Sequence, residues 1–64
     1  MRINRVKFVS EITRQDITLV ELAKKADVSR VTLSSIKCGK SCSDAIGYKI
    51  AKALNINVKD LLED

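Results

Sequence analysis

Apolar residues recur along this chain at helical rather than alternating intervals, in blocks separated by short polar stretches. The organising block runs from Thr18 to Lys40, TLVELAKKADVSRVTLSSIKCGK, where Leu22, Ala23, Ala26, Val28, Leu33 and Ile36 supply contacts that two crossing helices can share. Thr18 stands three residues before Glu21. At that spacing the hydroxyl accepts the third helical amide while the carboxylate reaches back, which predicts a helix over about 19–25. Ser29 can cap a second helix over about 30–37, and Gly39 can close it in the left-handed conformation. Such a pair cannot bury itself alone, so the flanking blocks must complete a core.

Upstream, Ile3, Val6, Val9 and Ile12 lie three apart among Arg2, Arg5, Lys7 and Arg14, predicting a helix over 2–14 with an apolar seam and a basic remainder. Phe8 reads as a core or seam residue. Downstream, either Ser41-x-x-Asp44 or Ser43 can start a helix over about 44–54, with Ile46, Ile50, Ala53 and Leu54 inward and Tyr48, Lys49 and Lys52 outward. Gly47 costs that helix roughly 1 kcal/mol against Ala, which marks close approach by another helix. Asn55 stops it, and Asn57 caps a last turn, Val58 to Leu62, whose leucines close the core. With no Pro, no useful alternating run and no hairpin dipeptide, the expectation is an all-α fold. It forms one domain over 1–64 with a helix-turn-helix core at about 18–37.

Size and composition narrow the function. At 64 residues a single core is near the lower limit of independent stability, so no large active-site cavity is expected. A chain that is 45% hydrophobic and 31% charged belongs with soluble globular proteins rather than disordered ones. No apolar run approaches a membrane span of about 18 residues, and MRINRVKF lacks a signal-peptide core, so the expected location is cytoplasmic. The formal charge is +4, and residues 1–40 hold nine Lys/Arg against four Asp/Glu while 41–64 hold three against four. The excess therefore travels with the organising block, as a footprint for phosphate requires, although an ordinary solubilising surface can carry the same total.

Cys38 and Cys42 form C-x3-C in a chain without His, half of what a structural zinc site needs. They read as free thiols, with a redox-sensitive pair or an intermolecular metal site as the alternatives; no metal and no cofactor is expected. With no His, one Tyr and no converging carboxylate pair, no acid–base constellation is recognisable, so an enzyme is not expected.

Two helices of seven or eight residues joined by a short turn, in a small basic all-helical domain, make the helix-turn-helix arrangement. Leu33 and Ile36 must point inward, leaving Arg30, Val31, Ser34, Ser35 and Lys37 outside with Thr32 at the margin. Arg can pair bidentately with guanine, Val can meet a thymine methyl, and Ser can exchange short hydrogen bonds with bases. A purely structural helix would more often carry Glu, Lys and Gln on that face.

The segment from about 17 to 62 resembles the Cro/C1-type (lambda-repressor-like, XRE) helix-turn-helix family. The likeness rests on Leu22-Ala23, Val28-Ser29, Leu33, Ile36, Gly39-Lys40 and the downstream KIAKALNINVKDLL from Lys49 to Leu62. It implies a compact five-helix DNA-binding domain, a sequence-specific transcriptional regulator of the repressor kind, and a homodimer on a two-fold operator of double-stranded DNA. Arg30, Val31 and Ser35, with Ser34 and Thr32, would then face bases. Ser29, Gly39 and Lys40, with Lys37 and Thr18, would face phosphates. Three positions depart from the family pattern. Asp27 replaces the usual turn Gly, Leu19 replaces a Gln that often touches the DNA backbone, and Ile12 with Lys37 replaces a frequent Arg–Glu pair. Leu19, Val20 and Val31 could instead form an apolar patch, so the competing expectation is a protein-interaction module of the same fold.

Overall fold

The computed structural model describes residues 1–63, and among them four α-helices and one 3-10 turn follow in order: α1 (Arg5–Arg14), α2 (Leu19–Ala26), α3 (Arg30–Lys37), α4 (Asp44–Leu54) and the 3-10 turn Val58–Asp60. The expected fifth helix is therefore only a three-residue 3-10 turn, capped by Asn57 as anticipated. It stops short because the chain then straightens: Leu62 forms an antiparallel bridge with Ile3, Asn4 N donates to Leu61 O at 2.7 Å and Glu63 N donates to Arg2 O at 3.1 Å.

The same pairing corrects the first helix. It begins at Arg5 rather than at residue 2, because the Asn4 side chain accepts from the amides of Val6 and Lys7 and so caps it. The three-apart seam does not hold either. Steps of three residues fall about 60° short of a full turn each, so Ile3 and Ile12 could not share one helix face. Instead Phe8 and Ile12, one turn apart, are the buried pair of α1, Val6 is 67% exposed, and Ile3 reaches the core from the bridge.

Phe8, Leu22, Leu33, Ile36, Ile50, Leu54 and Leu61 are fully buried, so each helix and the C-terminal segment sends at least one large side chain into a single cluster. Ala23, Val28 and Ile46 pack against its edge, and Ala51 joins Ala53 inside. Fully burying one such large side chain contributes about 1.5–3 kcal/mol, which makes this cluster the main source of stability in so short a chain. Gly47 is a point of close approach, as its position in a helix implied, but its neighbour is not a helix. A Cβ added there would collide with Met1 Sδ.

All four helices end in the same way. Asp16, Asp27, Gly39 and Asn55 each have positive φ, and the following residue donates its amide back across the last turn: Ile17 to Ile12 O, Val28 to Ala23 O, Lys40 to Ser35 O and Ile56 to Ala51 O. This is the closure in which a left-handed residue satisfies carbonyls that have no partner within the helix. Asp27, at φ 57° and ψ 47°, thus does the work of the expected glycine. At three of the ends the donor is apolar and packs on the core, namely Ile17, Val28 and Ile56. At the end of α3 it is Lys40, which is exposed.

Candidate nucleic-acid interface

Local signals fix where α2 and α3 begin. Thr18 Oγ1 accepts from Glu21 N and Glu21 Oε1 accepts from Thr18 N, both at 3.1 Å, completing the capping box. Ser29 Oγ accepts from Thr32 N at 3.1 Å and lies 2.7 Å from Thr32 Oγ1. Leu33 and Ile36 are buried, and this fixes which side of α3 faces out.

That outer side carries Arg30, Val31, Ser34 and Lys37, all exposed, with Val31 at 74%. Ser35 and Thr32 are half-buried, and the Thr32 hydroxyl is engaged with Ser29. Arg30, Val31, Ser34, Ser35 and Lys40 line one open depression of about 280 Å³. Leu19 and Cys38 complete its wall. Ser29, Thr32, Lys37, Gly39 and Thr18 are not part of that lining; Ser29 and Thr18 sit at the N-terminal ends of α3 and α2, and Lys37 and Gly39 at the C-terminal end of α3. A helix N-terminus offers unpaired amides to an anion, so the two caps flank the depression with groups suited to phosphate.

Two basic residues join this region that the sequence did not put there. Arg2 Nη2 donates to Gly39 O at 3.2 Å, while its Nε pairs with Glu63 at 3.1 Å. The Arg5 stem passes the same loop, its Cδ 4.0 Å from where a Cβ on Gly39 would be. No local spacing announces these contacts, since they join residues more than 30 positions apart; the only available signal was the basic remainder of the first segment. Cys38, which the sequence presents as one of two free thiols, lies in the wall of the depression.

The replaced Arg–Glu pair leaves no stranded charge. Ile12 is 8% exposed in the core, Lys37 is at the surface, and no charged residue is buried among the described residues. Both cysteines are free, Cys38 exposed and Cys42 half-buried, and burial pushes the Cys42 thiol up from its ordinary value. No helix among the described residues is long and apolar enough to cross a membrane.

A family model described as helix-turn-helix matches residues 11–61. The chain belongs to the Cro/C1-type helix-turn-helix family. No individual curated protein and no solved structure matches the chain. The helix-turn-helix family is one of DNA-binding regulators, typically without enzymatic activity. The match extends across α2, α3, α4 and the 3-10 turn and takes in the end of α1, so the family covers the whole depression and its flanking caps.

Proposed function

We propose that this chain acts as one domain that binds double-stranded DNA in a sequence-specific manner and represses transcription, with α3 entering the major groove. The observation that carries the reading is the outer face of α3 and its end. Short polar and β-branched residues stand beside Arg30, and the one helix end whose closing residue is a lysine follows directly. Arg30, Val31, Ser35 and Ser34 are assigned to base edges, with Thr32 at the margin holding Ser29 through its hydroxyl. Ser29, Lys37, Gly39, Lys40 and Thr18 are assigned to phosphates, and Arg5 is added to that set from its position beside Gly39. One copy of this size covers a single half-site, so two copies on a two-fold operator, with centres about 34 Å apart, are the expected functional unit.

A salt titration of duplex binding tests this. Log K should fall steeply with log salt, Arg30→Ala should relax preference at one base position at a cost of about 1–3 kcal/mol, and Lys40→Ala should weaken all sequences alike. Absence of duplex binding at low salt in a random-sequence selection would sink the reading. Exposed Val20 at 46% and Val31 at 74% favour the second reading, a protein partner on the same face. That reading predicts affinity nearly independent of salt.

A further inference from the structure

A second depression of about 400 Å³ lies between α2 and α4 and shares no lining residue with the first. Its walls are Lys25, Lys49 and Lys52, and its floor is Ala26 and Ala53, 6% and 8% exposed. The two alanines leave the gap open where larger side chains would fill it. No carboxylate lines the depression. The ion pairs among the described residues, Met1–Asp44, Arg2–Glu63 and Arg14–Glu11, all lie elsewhere. Lysines in the last turn of a helix offset its dipole, which accounts for Lys25 and Lys52. It does not account for Lys49, a turn earlier in α4, which brings a third ammonium group to the same rim.

We propose that this groove docks an acidic segment of a partner protein. Its carboxylates would pair with Lys25, Lys49 and Lys52, and a small apolar side chain would rest on Ala26 and Ala53. Alanines between lysines suit a polypeptide, in which carboxylate and methyl-sized side chains can alternate along one chain. Three clustered ammonium groups with no carboxylate in the lining raise the local potential, and an acidic chain relieves it. The groove is independent of the DNA reading, since a partner seated there would leave Arg30 and Lys40 uncovered.

The test is a titration of the full chain with an acetylated, amidated ten-residue peptide alternating Glu and Ala, followed by amide shifts in a two-dimensional NMR spectrum. A Gln-for-Glu peptide and a short duplex serve as parallel titrants. The expected result is shifts confined to residues 24–27 and 48–54 with the Glu peptide and none with the Gln peptide. The triple variant Lys25→Gln/Lys49→Gln/Lys52→Gln should weaken the Glu peptide at least tenfold while keeping the wild-type spectrum elsewhere and the wild-type base preference on duplex. Shifts centred on Arg30 and Lys40, equal binding by the triple variant, no binding of the Glu peptide, or groove shifts produced by the duplex would each overturn the proposal. Failure of all duplex binding with a positive groove result would instead remove the DNA reading and leave this one standing.

Discussion

Three of the four helix ends and the end of α3 solve one problem with different residues. After α1, α2 and α4 the left-handed position is Asp16, Asp27 or Asn55, and the closing residue is Ile17, Val28 or Ile56, each packed against the core. After α3 the pair is Gly39-Lys40, at φ 97° for the glycine, with the lysine in solvent. The backbone hydrogen bonds are equivalent, Lys40 N to Ser35 O at 3.0 Å against 3.0 to 3.1 Å at the other three. Closure therefore does not require a lysine, and the apolar contact that usually accompanies it has been given up. This small domain forgoes core contact at one helix end only, and that end borders the outward face of α3.

The comparison can be broken by exchanging its terms. Ile56→Lys takes a packed closing residue off the core and should cost about 2 kcal/mol, seen as a lower denaturation midpoint without a change of slope. Its mirror, Lys40→Ile, should leave stability within about 0.5 kcal/mol and reduce the salt slope of duplex binding by about one. If Lys40→Ile stabilises and leaves the slope alone, the lysine has no role in binding.

The left-handed positions come next. Gly39→Ala meets no close atom beyond the Arg5 stem, so its penalty is the backbone alone, about 1 kcal/mol or slightly more, measurable by urea unfolding. Asp27→Gly should act oppositely, raising stability by a few tenths to about 0.5 kcal/mol, since glycine holds the same conformation without steric cost. A loss on Asp27→Gly would mean that the aspartate side chain, not only its backbone, secures the turn.

The smallest effect concerns pH. Hydrogen bonds from Arg14 and then Gln15 hold the Glu11 carboxyl below its ordinary value of 4.5. A depressed folded value means the contribution is present above the ordinary value and lost as pH falls through the lower, folded one. Thermal stability of the wild type should therefore fall below about pH 4.5, and Glu11→Gln should flatten that part of the profile by lowering stability slightly at neutral pH while converging with the wild type in acid.

Much of this fold was legible because its signals are local. Thr18 with Glu21, Ser29, Ser43, Asn55 and Asn57 each announce a helix end within three or four residues, and the bounds of α2, α3 and α4 follow from them within a residue. The outer face of α3 was legible for the same reason, once Leu33 and Ile36 were turned inward. What eluded the pattern was long-range. Ile3 leaves α1 because it pairs with Leu62, Gly47 opens for Met1, and Arg2 finds Gly39, contacts that no spacing rule reaches. The first segment looked continuously helical because its apolar residues came every third position, whereas only Phe8 and Ile12 share the buried face.

The bridge between Ile3 and Leu62 has a consequence for how this unit can be joined to others. Because Arg2 O accepts from Glu63 N at 3.1 Å, residues 2 and 63 lie side by side. A host protein could carry it as an insert in an exposed loop, its two strands of connection emerging side by side, without the host's own backbone having to spread. A short peptide joining residue 63 to residue 1 would make a ring, removing freedom from the unfolded chain at the cost of the charge that the Met1 amino group presents to Cys42 O and Asp44.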